Sequence, residues 1–374
     1  CACYIDGVMA TKLKVGVLGA TGMVGQRFVS LLADHPWFEV TAVAASPSSA
    51  GKRYGDAVAG RWTLAQPVPN SAAGLVVSDA AAVQAIADRV DFVFCAVDMS
   101  KEATAKLEED YARAETPVVS NNSAHRGTPD VPMMIPELNH DHAKVIEAQR
   151  RRLGTKRGFV SVKPNCSLQS YVPAIHPLLG FGPTRLAVCT YQAISGAGKT
   201  FESWPEMVDN VIPFIKGEEE KSEQEPLKIW GKLSDGKIVN ATAPVITAQC
   251  LRVPVSDGHM AAVFVAFERK PSRDQILAAW RDFSGPPQEQ DLPSAPKPFL
   301  RYFDDDSRPQ TRLDRDSGDG QAISLGRLRP DAMFDWRFVA LSHNTVRGAA
   351  GGLSLIHISE PTRRTPISYA VFCL

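Results

Sequence analysis

Cys166 stands in the run Lys163-Pro164-Asn165-Cys166-Ser167, between a short apolar stretch and the helix-like segment Leu168 to Leu179. A thiol at a helix N-terminus meets free backbone N–H groups and the positive end of the dipole, which favour the thiolate. The same donors can hold an oxyanion. The alternative, a buried structural cysteine, fits poorly with flanking Pro, Asn and Ser. Cys95 and Cys189, by contrast, lie inside apolar strand-like runs and read as inert buried thiols. Cys1 and Cys3 form a C-x-C pair with no second pair or histidine cluster to complete a metal site, so no metal is expected. Nothing resembles a disulfide framework.

An acyl-accepting thiol needs a proton donor or acceptor, and the candidate is His259 in the segment Leu251 to His259. Arg252 and His259 fall seven residues apart on a strand and turn, which suits a carboxylate clamp beside a proton shuttle. Taken singly, each would read as a surface ion pair or a satisfied histidine. His35, His140, His142, His176 and His343 read as surface or packing residues.

Upstream, Gly19-Ala20-Thr21-Gly22-Met23-Val24-Gly25 follows the apolar run Val15 to Leu18 and opens a helix. That context is the one a dinucleotide loop requires, with glycines admitting the pyrophosphate to a helix N-terminus. Gly19, Thr21, Gly22, Met23, Val24 and Gly25 are the candidate contacts; a glycine-rich structural turn is the alternative. After the next apolar run, Val40 to Ala45, comes Ser46-Pro47-Ser48-Ser49-Ala50-Gly51-Lys52-Arg53. No acid waits there for a ribose 2′-hydroxyl, while hydroxyls and cations suit a 2′-phosphate. Ser46, Ser49 and Lys52 therefore point to NADP rather than NAD, against the alternative of a basic surface loop.

Elements must bring these residues together. Strands are expected at 14–18, 38–45, 91–97 and 116–120, with helices at 23–33 and 101–114 between them. Strands alternating with helices predict a parallel, doubly wound sheet. The polar stretch Gln149 to Arg157 is expected to be a solvated loop, with a domain boundary just after it. Further strands are expected at 185–193, 245–255 and 261–268. The organisation is thus an NADP-binding domain over 9–158 and a catalytic domain over 159–345. Residues 1–8 read as a non-native leader. Residues 353–374 resemble a translated sequencing adapter and are set aside from functional reasoning.

The chain has 374 residues, enough for two domains. Lys and Arg total 41 and Asp and Glu total 41, which removes any global electrostatic case for nucleic acid or an anionic membrane. No apolar run approaches the roughly 20 residues that span a bilayer. A cytoplasmic enzyme is expected.

These residues together resemble the aspartate-semialdehyde dehydrogenase family, in its archaeal and fungal branch. The resemblance runs from about Met9 to Gly352. It rests on the glycine loop, Ser120-Asn-Asn-Ser-Ala-His-Arg126, Pro164-Asn-Cys-Ser167, Gln192-Ala-Ile-Ser-Gly-Ala-Gly198, Gly217-Glu-Glu-Glu-Lys221, Arg252 with His259, and Asn344-Thr-Val-Arg-Gly-Ala-Ala-Gly351. It implies a Rossmann-type first domain and an α+β catalytic and dimerisation domain of the glyceraldehyde-3-phosphate-dehydrogenase-like kind, in a homodimer or homotetramer. It also implies reductive dephosphorylation of β-aspartyl phosphate, a step towards lysine, threonine and methionine. By resemblance Cys166 is the nucleophile, His259 the acid/base and Gln192 the residue that orients the acyl group. Arg252 and Glu218 would take the substrate's carboxylate and amine; Arg126, Asn165 and Lys221 would take the phosphate. Asn344, and Gly196 through its backbone, would touch the nicotinamide. Two departures stand out. The family often has an arginine where Ser48 stands, leaving that contact to Lys52 or Ser49. It also continues from Gly352 into a long helix that packs on the first domain, so reduced stability is expected of this chain. Related readings are a malonyl-CoA reductase, against which Glu218 argues as a partner for an amine, and a non-catalytic NADP-sensing regulator.

Overall fold

A computed structural model describes residues 11–353 and the short antiparallel strand pair Tyr4–Ile5 and Val8–Met9. The leader and the adapter-like tail otherwise lie outside the described residues. Leu13–Leu18 forms β1, with Val15, Val17 and Leu18 fully buried. Phe38–Ala45 forms β2, Val77–Asp79 β3, Phe92–Cys95 β4, Val118–Ser120 β5 and Val160–Val162 β6. All pair in parallel in the order β3-β2-β1-β4-β5-β6. Near-continuous apolar runs suit strands covered on both faces. Met23–Leu32 (α1) and Lys101–Arg113 (α2) are two of the flanking helices. Strand order reverses beside β1, so the glycine loop that follows it opens at the switch point where such sheets bind ligands.

Two expectations change here. Gln149 to Arg157 is not a loop throughout: Ile146–Leu153 is a helix, α3, closed by Gly154 at φ 74°. Gln149 is buried and its side chain bonds the backbone of Asp130 and Val160, while Arg152 pairs with Asp130. The Arg-rich run has good helix propensity, and its cations find partners far away in sequence. The domain boundary also falls later than residue 158, because Val160–Val162 is the sixth strand of the first sheet.

The second domain carries a mixed six-stranded sheet. Its strands are β7 (Pro183–Gln192), β8 (Val245–Arg252), β9 (His259–Phe267), β10 (Leu300–Phe303), β11 (Ile323–Pro330) and β12 (Trp336–Ser342). They run in the order β8-β7-β9-β12-β11-β10. Period-two alternation gives the sheet two different faces. Leu186, Val188, Ala261, Val263, Phe338 and Ala340 are buried on one face, and the fully buried helix Leu168–Ile175 (α4) packs against β9, β11 and β12. The other face presents Ala187, Cys189, Tyr191, Ala262, Phe264 and Val339, all at least partly exposed. Helix α5, Glu218–Ile229, lies against β8.

After β12 the chain returns to the first domain through Val346–Ala350, a helical stretch kinked at Ala349 (φ -144°, ψ -106°), which packs on α1. Arg347 in that stretch is fully buried. It bonds both carboxylate oxygens of Glu137 at 2.7 and 2.6 Å and Gln169 of α4 at 3.2 Å. Among the described residues, no helix is long and apolar enough to cross a membrane.

Candidate active site

Three strand ends meet where the thiol lies. Gln192 ends β7, Arg252 ends β8 directly beside it, and His259 begins β9 on the other flank of β7. Cys166 comes from the turn between β6 and α4, one residue before the Ser167 cap. These elements bring Cys166 Sγ to 3.3 Å from His259 Nε2. The Nδ1 of His259 accepts the backbone N–H of Ala193 at 3.0 Å. That bond leaves the neutral ring's proton on Nε2, facing the sulfur. Burial, and then the nearby Arg252 cation, push the ring's pKa down to about 3, so it is neutral at ordinary pH.

Backbone approaches from two sides. A Cβ on Gly196 would lie 2.8 Å from an Arg252 guanidinium nitrogen and 3.0 Å from the His259 ring. A Cβ on Gly348 would lie 2.9 Å from that of Cys166. Arg252 donates to the carbonyl of Ala193 at 2.7 Å, so its guanidinium is aimed by the same loop that holds the imidazole.

Glu218, at the start of α5, is a hub. Its carboxylate takes Asn165 Nδ2 at 2.9 Å to each oxygen, Gln192 Nε2 at 3.2 Å and Lys221 Nζ at 2.8 Å. Burial works to raise its pKa, but the Lys221 charge and these hydrogen bonds prevail and keep it low and ionised. Asn165 and Gln192, expected to face the phosphate and the acyl group, thus spend their amide donors on Glu218. Asn165 Oδ1 is also used, by the Ser167 N–H and hydroxyl. Arg126 lies in the same wall, paired with Glu225 at 3.0 Å and with the Asn121 carbonyl at 2.9 Å. Glu225 also accepts the Asn165 N–H at 2.6 Å. No sequence signal marked Glu225, because its partners Arg126 and Asn165 lie 99 and 60 residues away.

The Asn344 amide bridges the Gly258 N–H at 2.7 Å and the Ser195 hydroxyl at 2.8 Å. Both ends of the amide thus fix the loops beside His259.

The cofactor residues fit NADP. Gly19 has φ 81°, and a Cβ at Gly25 would lie 2.1 Å from the Gly19 carbonyl oxygen, so the loop closes only with glycine at both positions. Gly22 caps α1 with no side-chain hydrogen bond and no acid lies in the first turn. The Gly22 N–H is used by the Gly19 carbonyl at 3.1 Å, and the first-turn N–H groups of Met23 to Gly25 are those a helix start offers to an anion. Met23 and Arg27 on α1 line a cavity of about 170 Å³ whose far wall is Ile194, Ser195 and Lys199 of the second domain. The glycine loop is thus joined to the thiol's surroundings. At the end of β2, Ser46 and Ser48 hydroxyls bond each other at 2.9 Å, and Lys52 is exposed. Ser49 is buried and accepts from Arg61 Nη2 at 3.0 Å. Arg61 is a cation that sequence reasoning missed. Among the described residues, no group of three His, Cys, Asp or Glu could hold a metal.

Residues 14–146 match the family model described as semialdehyde dehydrogenase, NAD binding domain, and residues 175–347 match the semialdehyde dehydrogenase dimerisation domain. The chain is 43% identical over 342 residues to the aspartate-semialdehyde dehydrogenase of Archaeoglobus fulgidus, covering 91% of this chain and 95% of that one. It is 42% identical over 353 residues to the Aspergillus fumigatus enzyme of the same name, covering 91% and 94%. Among solved structures, the aspartate semialdehyde dehydrogenase of Candida albicans with NADP superposes with a TM-score of 0.83 at 36% identity, over 93% of this chain and 98% of that chain. With the thiol–imidazole pair, the glycine loop and the two-domain frame in place, the chain belongs to the aspartate-semialdehyde dehydrogenase family.

Proposed function

We propose that this chain reduces β-aspartyl phosphate to aspartate semialdehyde and inorganic phosphate through a thioester on Cys166. The observation that carries the reading is the 3.3 Å approach of Cys166 Sγ to His259 Nε2, walled by Arg126, Lys221 and Arg252. Arg126 and Lys221 supply cations for a doubly charged acyl phosphate, and Arg252 supplies a planar fork for the substrate carboxylate. Glu218 offers an ionised oxygen pair to the α-ammonium. The Cys166 thiolate attacks the acyl carbon, and the carbon–oxygen bond to phosphate breaks. NADPH, when bound along the glycine loop, supplies the hydride that reduces the thioester carbon. The His259 Nε2–H donates to the oxygen as negative charge develops there. The carbonyl then reforms and the thiolate leaves, so the sulfur returns to its starting state.

Replacing Cys166 by Ala is expected to lower turnover at least a thousandfold (~10³) while NADPH binding, read by nucleotide fluorescence, stays unchanged. Substantial turnover in C166A would refute the covalent route. In the reverse direction, phosphate-dependent reduction of NADP with aspartate semialdehyde distinguishes this reading from a malonyl-CoA reductase, which would use malonate semialdehyde and CoA. Two features support the setting. The described cysteines Cys95, Cys166, Cys189 and Cys250 are free thiols, as suits the reducing cytoplasm. The partly exposed sheet face with Ala187, Cys189, Tyr191 and Phe264 suits burial against a second copy in a dimer or tetramer.

A further inference from the structure

Lys163, three residues before Cys166, has no part in the chemistry above. Its backbone N–H bonds the Ser120 carbonyl at 2.9 Å as the chain leaves β6. Its side chain turns inward until the residue is only 1% exposed, and Nζ finds no hydrogen-bond partner among the described residues. A buried amine without a partner is costly, whether charged or neutral.

The backbone that covers Cys166 also covers this lysine. A Cβ on Gly348 would stand 2.9 Å from the Cys166 Cβ; one on Gly352, four residues later and past a kink at Ala349, would stand 2.8 Å from Lys163 Cε and 3.3 Å from Nζ. The ionisable groups that face this space are mostly satisfied by one another. Arg347 is neutralised by Glu137, Arg126 by Glu225, and Glu218 by Lys221. Arg252 is held on the Ala193 carbonyl, and His259 is an uncharged ring. Among the described residues three groups are left without an ion-pair partner, the Cys166 sulfur, the Lys163 amine and the Arg252 guanidinium, and of the two cations only Lys163 also lacks a hydrogen bond.

We propose that the Lys163 ammonium is the counter-charge that forms with the Cys166 thiolate, a positioning residue that lowers the cost of ionising the nucleophile without touching the substrate. Each charge needs the other. Burial pushes the Cys166 thiol up to about 11, with Glu218 adding to the rise, while Arg126, Lys163 and Arg252 pull it down. Burial likewise drives the Lys163 amine well below its ordinary value, with Arg347 next, while the Cys166 charge pulls it up. Each charged form therefore favours the other. Forming the pair breaks one S–H bond and makes one N–H bond, with no other change.

This inference rests on Cys166 as nucleophile, so its test reads ionisation of the sulfur with no substrate present. Cys166 is partly exposed, and its rate of alkylation by iodoacetamide can be followed against pH by mass spectrometry. In K163M the midpoint is expected to rise by at least one pH unit, which is tenfold less thiolate at a fixed lower pH. The reciprocal arm uses C166A: the Cε carbon-13 shift of Lys163 is expected to titrate at lower pH than in the parent protein. That arm holds even if K163M folds poorly. An unmoved alkylation midpoint in folded K163M, with or without a loss of thermal stability, would overturn the proposal. So would a Lys163 titration indifferent to C166A. Failure of the covalent route would appear separately, as turnover retained in C166A.

Discussion

The Arg61 guanidinium reaches Ser49 at 3.0 Å and the Ala57 carbonyl at 2.9 Å, and so lies across the turn that follows β2. That turn presents Ser46 and Ser48 hydroxyls and an exposed Lys52, with no carboxylate. A 2′-phosphate there would take charge-assisted bonds from Arg61, each worth roughly 1.5–3 kcal/mol. Arg61→Ala is therefore expected to weaken NADPH binding about tenfold or more while leaving NADH binding nearly unchanged, as read by nucleotide fluorescence titration. Equal losses for both nucleotides would mean that Arg61 only props the turn. Sequence reasoning reached the preference for NADP from the missing acid after Ala45, and named Ser46, Ser49 and Lys52 for the contacts. Arg61 escaped because it arrives from twelve residues downstream, through a turn with no periodic signal.

Helix α5 places Glu218, Lys221, Glu225 and Lys228 at spacings of three, four and three, so all four share one face. That face binds the walls of the site together. Glu218 holds Asn165 and Gln192, Glu225 holds Arg126 and the Asn165 N–H, and Lys228 donates to the carbonyls of Arg126, Thr128 and Val131. Both side chains of the Arg126–Glu225 pair are about nine-tenths buried. Removing one partner leaves a buried charge unpaired, at a cost of about 3 kcal/mol. Glu225→Gln is expected to lower unfolding stability by that order, and added inorganic phosphate should restore more of the midpoint in the variant than in the parent. Equal phosphate increments in the two proteins would separate Arg126 from the phosphate site. The pairing of Glu218 with Lys221 was legible because it lies within one helical turn. Glu225 and Lys228 were not, since their partners lie from 60 to 102 residues earlier and only the tertiary fold brings them near. The same reason explains α3: Gln149 and Arg150 look like solvated loop residues until Asp130, Arg157 and Val160 supply their hydrogen bonds. Four of the first sheet's six parallel strands were legible, because burial on both faces writes itself as an unbroken apolar run; β3 and β6 were not.

Four histidines distributed over both domains give the molecule a shared acid limit. His35 stacks on Phe38 with ring centroids 4.4 Å apart, and His176 meets Phe283 edge-on at 5.7 Å. His343 is 4% exposed and His259 is fully buried beside the thiol. Burial is the leading cause in each case, holding His35, His176 and His343 down to about 4 and His259 to about 3. Each binds its proton more readily when unfolded, near the ordinary value of about 6.5. The unfolded chain therefore takes up more protons between these values, and stability rises with pH across that window. The contribution is fully present above about pH 6.5 and is lost as pH falls towards 4. For one such histidine the loss between pH 6.5 and pH 5 is about 2 kcal/mol. Urea midpoints measured from pH 7.5 to pH 5 should therefore begin to fall near pH 6.5, before ordinary carboxylates titrate. His176→Phe keeps an aromatic ring against Phe283 and removes one titrating group far from the chemistry. It is expected to recover about 2 kcal/mol of the loss at pH 5 and to leave turnover at pH 7.5 intact. A midpoint that stays level down to pH 5, or an acid limb identical in His176→Phe and the parent protein, would show that these rings are not what limits the fold in acid.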